Sequence, residues 1–223
     1  MSDNCETFVR WYLRFNGYLG VENFVVHEPA RGRIDQGTES DVLAVRFPHS
    51  REDVGAPLQT DPRLLAGLAA PGNVDFVIAE VKGGNRATLN AVWTPPVSAA
   101  KLRRVSYILR WLGPLADEAA IDAVARDLQR THRATHDKNS FRVVFFSKRH
   151  RRAVSALGIT QILFRDIADF VVNIRADCWK RYGLGVRSDH SQWDPLILEI
   201  WRLADPDRNA PPAQKVDDIL AIL

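Results

Sequence analysis

Phe8, Trp11, Tyr12 and Phe15 recur at the i, i+3, i+4, i+7 spacing of one helical face, and Gly17 follows as a stop. This spacing predicts an opening helix over 3–16, with Asp3 as N-cap and Glu6 completing a capping-box pattern. The Val- and Phe-rich run 21–29, closed by Pro29, and the run 41–48, closed by Pro48, predict two strands joined by a polar loop. Residues 49–73, with their prolines, glycines and acidic side chains, predict an insertion holding one or two helical turns. The apolar run DFVIAEVKGG, 75–84, predicts a third strand, and 85–96 reads as irregular.

Helical periodicity returns twice. Leu102, Val105, Ile108, Leu109 and Leu112 form one stripe over 98–114, stopped by Gly113-Pro114, and 117–132 predicts a second helix. FRVVFFSK, 141–148, predicts a fourth strand and 150–158 a short helix. Residues 159–179 mix both periods and do not divide. The tail carries the apolar segment LILEIWRLA and a terminal helix, VDDILAIL. Helix, three strands, helices, a strand and mixed elements make an α/β layout with helices flanking a central sheet. No repeat appears.

Composition changes this picture little. With 46% apolar and 26% charged residues the chain is expected to be globular, and at 223 residues it can bury a full core unaided. No stretch reaches the ~18 apolar residues of a membrane span, so no membrane partner is expected. The N-terminal residues show no secretory pattern, and Cys5 and Cys178 lack zinc spacing, which together lead to an expectation of a cytoplasmic protein with free thiols. Charge is more informative. Between Lys101 and Arg152 there are 13 Lys/Arg against 5 Asp/Glu, within a chain of net charge only +3. Clustered Lys/Arg gain affinity for a polyanion by releasing its counterions, although a solvated basic face explains the count equally well.

The third strand carries the chemistry. Side chains alternate faces along a strand, so Ile78, Glu80 and Lys82 point one way and Val77, Ala79 and Val81 the other. One face is expected to pack under helices and the other to open onto a cleft. An isolated E-x-K is most often a structural ion pair. A second carboxylate, Asp41, opens the preceding strand, and if the two strands pair it can approach Glu80. Two carboxylates brought together repel unless a cation lies between them. Carboxylates, a backbone carbonyl and waters are the ligands Mg²⁺ prefers, and such an ion can polarise a phosphodiester and activate water. Lys82 beside it could orient or help deprotonate that water and offset transition-state charge. Glu39, two residues before Asp41, shares its face and rivals it as ligand.

A helix bearing Glu6 eleven residues before Gly17-Tyr18, a strand opening with Asp41, and a later strand carrying Glu80-x-Lys82 together resemble the PD-(D/E)XK nuclease superfamily, in particular its Mrr-like and Holliday-junction-resolvase-like branches. The resemblance covers roughly residues 4–84. It implies a restriction-endonuclease-like fold, a central mixed β-sheet flanked by helices, over residues 1–182, with 49–73 an insertion and 183–223 a C-terminal helical extension. It implies catalytic roles for Glu6, Asp41, Glu80 and Lys82. Asp41 and Glu80 would hold Mg²⁺, with Mn²⁺ as a substitute, and Glu6 would be an accessory carboxylate. The implied activity is phosphodiester hydrolysis in nucleic acid, DNA above all, and relatives often act as homodimers. Arg103 and Arg104 on the helix after the catalytic strand, with Lys148 and Arg149 after the fourth strand, are the expected phosphate contacts. The sequence departs from the pattern at Ser40, where the name-giving proline would stand. After Lys82 it offers only Asn85, Asn90 or Lys101 in place of a glutamine motif. These departures motivate the alternative of an inactive nuclease-fold protein that binds nucleic acid or a protein partner. Trp93 reads either as a base-stacking or as a core residue. His132 and His136 read as surface or loop positions.

Overall fold

The computed structural model describes residues 4–30, 33–50, 59–70, 72–84, 88–176, 180 and 194–223, with backbone alone for 26–30 and 33–39. Its elements follow the order α1 (Asn4–Phe15), β1 (Leu19–Ala30), β2 (Arg33–Arg46), α2 (Pro62–Leu65), β3 (Val74–Lys82), a 3-10 turn (Ala91–Trp93), α3 (Ala99–Leu112) and α4 (Glu118–Thr131). Next come β4 (Arg133–His136), β5 (Asn139–Ser147), α5 (Arg152–Ser155), β6 (Thr160–Leu163) and α6 (Phe164–Phe170), which runs on into a π turn (Val171–Arg175). The chain closes with α7 (Pro195–Ala204) and α8 (Pro212–Ala221). The class is α/β: a mixed six-stranded sheet flanked by helices.

β1, β2 and β3 form an antiparallel meander. β5 then pairs parallel to β3, and the crossover between them is the α3–α4 helix pair. β4 and β6 share the far edge of β5, β4 antiparallel along its first half and β6 parallel along its second. The sheet separates two apolar layers. Val42, Ala44, Val77, Ala79 and Val81 pack on one face with α1, α6, α7 and α8. Leu43, Phe76, Ile78, Val143 and Phe145 pack on the other with the 3-10 turn, α3 and α4. α7 and α8 supply Ile197, Ile200, Trp201, Val216 and Ile219 to the same core as α1, so the tail helices belong to that layer.

Local chemistry fixes the ends. Gly17 takes φ +84°, and a Cβ there would meet Ser50 O at 2.9 Å, so glycine is required where α1 turns into β1. Ser98 and Asp117 cap α3 and α4 by accepting from the Lys101 and Ala120 amides. Asp61 caps α2, and its own amide donates to Asn16 Oδ1, which ties the β2–β3 connection to the end of α1.

Three expectations change. Residues 33–40, read as loop, are the first half of β2 and pair with β1 as far as Ala30↔Arg33. Their polar composition hid a hairpin whose cohesion comes from its backbone ladder. Residues 133–136 form a strand too short and polar to show a period. Residues 159–179 divide at Leu163 into β6 and α6, and Asp166 accepts from the Leu163 amide at the junction. Residues 51–58 of the expected insertion, and Cys178, lie outside the described residues.

Candidate active site

β2 and β3 pair with Val42 opposite Ala79, and one further step of the same register sets Asp41 opposite Glu80. Here the ladder ends, and the Asp41 side chain takes over from it: Oδ2 accepts from the Val81 amide at 2.5 Å and from Lys82 Nζ at 2.8 Å. Lys82 Nζ also lies 3.5 Å from Glu80 Oε2. One ammonium therefore touches both carboxylates, on the sheet face that carries α3 and α4.

That face is not the open cleft expected of it. Trp93 closes over Glu80, its indole Nε1 donating to Glu80 Oε1 at 3.0 Å, and Glu80 is only 1% exposed. Trp93 is buried, which makes it a core residue whose edge orients a carboxylate and removes it as a base-stacking platform. Gln129 of α4 and the helix's C-cap, His132, hold the 3-10 turn in place. Gln129 donates to Val92 O, and His132 Nε2 lies 2.8 Å from Trp93 O while its Nδ1 faces Leu157 O at 3.1 Å. His132 is buried and caps α4 in the left-handed region at φ +59°, a place usually given to glycine, so the surface role expected for it is overturned. The spacing of His132 and His136 gave no hint of this; the helix stop at 132 was the available signal.

Electrostatics follow burial. Desolvation drives the Glu80 carboxyl from 4.5 up to about 7, against the pull of the Lys82 ammonium; Asp41 adds to the rise and the Trp93 bond opposes it. For Lys82, burial works to lower the pKa, but Glu80 and Asp41 outweigh it and hold the ammonium above the ordinary lysine value. Lys82 is thus a fixed cation at neutral pH. Held between the two carboxylates, it suits orienting a water or offsetting anionic charge.

Glu80 Oε2 is buried without a hydrogen-bond partner and faces Lys82. An acceptor left bare beside a second carboxylate suits a hard cation, so the donors present fit Mg²⁺. Among the described residues no three His, Cys, Asp or Glu side chains gather at one point, and the site offers two carboxylates. The Glu39 side chain lies outside the described ones. Glu6 is half-buried in the first turn of α1, in the helix layer on the opposite sheet face. Asn90 caps the 3-10 turn through the Val92 amide, and Lys101 Nζ donates to Thr94 O and Pro96 O, so both residues brace the segment around Trp93. Asn85 lies outside the described residues.

The basic residues fall in two places. Parallel register sets Ser147 beside Lys82, so exposed Lys148 and Arg149 emerge at the same sheet edge as the two carboxylates. Arg103 lines a cleft of about 240 Å³ between α3 and α4 with Arg110, Arg126 and Asp122, while Arg104 is half-buried on α3. Below the site, Arg142 on β5 and Asp75 on β3 form a buried ion pair at 2.9 Å that Tyr18 and Leu64 O complete. Its bonds are internal, and it reads as a brace between the parallel strands.

No known protein family, curated protein or solved structure matches the chain. Among the described residues no helix is long and apolar enough to cross a membrane.

Proposed function

We propose that the protein is a metal-dependent nuclease of the PD-(D/E)XK type that hydrolyses phosphodiester bonds, in DNA above all. The observation that carries this reading is the convergence of Asp41 and Glu80 on the Lys82 ammonium at the end of β3. The meander β1–β2–β3, followed by a helical crossover to parallel β5, supports a restriction-endonuclease-like arrangement. Asp41 and Glu80 would hold the Mg²⁺, which when bound polarises the phosphodiester and acidifies a coordinated water. Lys82, protonated, orients the attacking water and offsets charge developing on the phosphate oxygens. Trp93 holds Oε1 of Glu80 and leaves Oε2 turned toward Lys82. The exposed cations at 148–149 hold the substrate backbone in this reading.

A second reading, an inactive nuclease-fold protein that binds nucleic acid or a protein, draws on one observation: Lys82 already fills the space between the carboxylates, and Glu80 is sealed by Trp93. A panel of labelled duplex, single-stranded, branched and RNA substrates with Mg²⁺ or Mn²⁺ separates the two. Metal-dependent cleavage lost in Glu80→Gln supports the nuclease. Salt-sensitive binding without cleavage supports the alternative.

A further inference from the structure

We infer that residues 148–152 are a preformed contact for the phosphates of the strand entering the Asp41–Glu80–Lys82 site, and that Gln161 is the positioning residue that holds this loop in shape. The identity of the strand rests on the nuclease reading, whereas the contact itself is read from binding.

The loop leaves β5 directly after Ser147, the register partner of Lys82, at the sheet edge where the carboxylates meet. Gln161 stands one strand further out, on β6 opposite Phe145. Its Oε1 accepts from the Arg151 amide at 2.9 Å, and its Nε2 donates to Arg151 O at 2.8 Å and to Ser155 Oγ at 2.6 Å. Ser147 Oγ donates to Arg149 O at 2.9 Å, and His150 Nε2 lies 2.9 Å from Ser155 Oγ. Two strand side chains thus fix three backbone groups of the four-residue loop 148–151 that leads into α5. The cations are left outward: Lys148, Arg149 and Arg152 are exposed and make no ion pair among the described residues. A loop ordered in advance loses little entropy on binding, so its charges act at full effect. A phosphodiester strand suits both halves of this edge, since its phosphates meet the cations and accept a divalent ion beside Asp41 and Glu80. An acidic peptide would meet those carboxylates with no such gain.

Fluorescence anisotropy with labelled duplex and single-stranded DNA, in EDTA so that nothing is cut, tests the inference. Lys148→Ala/Arg149→Ala is expected to weaken binding on the order of tenfold near ~0.1 M salt, and to flatten the salt slope by about 0.9 per lost contact on duplex or about 0.7 on a single strand. Gln161→Ala keeps every charge, so affinity is expected to fall about threefold or more with the slope unchanged and the thermal midpoint near wild type. Arg133→Ala/Lys138→Ala removes the same charge from the β4 hairpin, which pairs with the first half of β5, and is expected to leave affinity within about twofold. Wild-type affinity in the loop variant, equal losses in both double variants, or preference for polyglutamate over DNA would each overturn the inference. Loop-dependent DNA binding by a wild type that cuts nothing in Mg²⁺ would overturn the nuclease reading and leave this one standing.

Discussion

Trp93 donates its indole N–H to Glu80 across 3.0 Å, joining a 3-10 turn to the strand that leads into it. This bond favours the ionised carboxylate and leaves only one of its oxygens bare. Trp93→Phe keeps the ring and removes the donor. The Glu80 pKa is expected to rise further, and stability to fall by about 1–3 kcal/mol above neutral pH, where Glu80 is ionised. Carbon-detected NMR titration of the Glu80 carboxyl reads the first effect and urea unfolding the second. An unchanged titration would show that the bond does not form.

The raised pKa of Glu80 has a sign in stability. Between pH 4.5 and about 7 the folded chain keeps a proton on Glu80 that the unfolded chain has released. Its contribution is complete below 4.5 and is lost as pH rises through about 7, so this group makes the protein less stable with increasing pH. Glu80→Gln mimics the protonated form and is expected to gain on wild type by up to about 3 kcal/mol between pH 5 and pH 8. Parallel pH dependences of unfolding for the two proteins would refute the assignment.

Arg142 and Asp75 are 2% and 1% exposed, so neither can turn to water when its partner goes. Arg142→Met is expected to cost about 3–5 kcal/mol by stranding Asp75, whereas Arg142→Met/Asp75→Leu is expected to recover much of that loss. Chemical denaturation of the single and double variants decides it. A double variant as unstable as the single would mean that the cost lies in packing.

At His132 the usual order of helix preference is expected to invert. Alanine and glycine both remove the imidazole that sits between Trp93 O and Leu157 O, with the one hydrogen bond its N–H donates, at about 1–3 kcal/mol. Only glycine relieves the left-handed backbone at φ +59°, which favours it by about 1 kcal/mol. Thermal unfolding of His132→Gly above that of His132→Ala is the expected result, and the reverse order would show that the cap geometry does not govern the site.

Much of this arrangement was legible in sequence because it follows from periodicity. The Phe8–Trp11–Tyr12–Phe15 stripe, the Leu102–Val105–Ile108–Leu109–Leu112 stripe with its Gly113-Pro114 stop and the alternation of β3 each encode a local rule. The pairing of Asp41 with Glu80 was legible as a possibility and needed only the β2–β3 register to become a contact. What stayed hidden depends on tertiary closure. Nothing near Trp93 marks it as the lid over Glu80, because that lid is set by Gln129 and His132 from a helix more than thirty residues later. The polar half of β2 and the short β4 carried no apolar signal. The neighbourhood of Lys148 and Lys82 arises only from the parallel pairing of β3 with β5.

In the proposed nuclease, Asp41, Glu80 and Lys82 act as one catalytic unit in which Lys82 serves as a cation. Single-turnover cleavage of labelled DNA in Mg²⁺, with wild type beside Lys82→Ala and Lys82→Arg, decides it. The expected result is cleavage by wild type, a loss of ~10²-fold or more in Lys82→Ala, and partial activity in Lys82→Arg, which keeps the charge. Cleavage by Lys82→Ala at the wild-type rate, or none by wild type on any substrate, would contradict it.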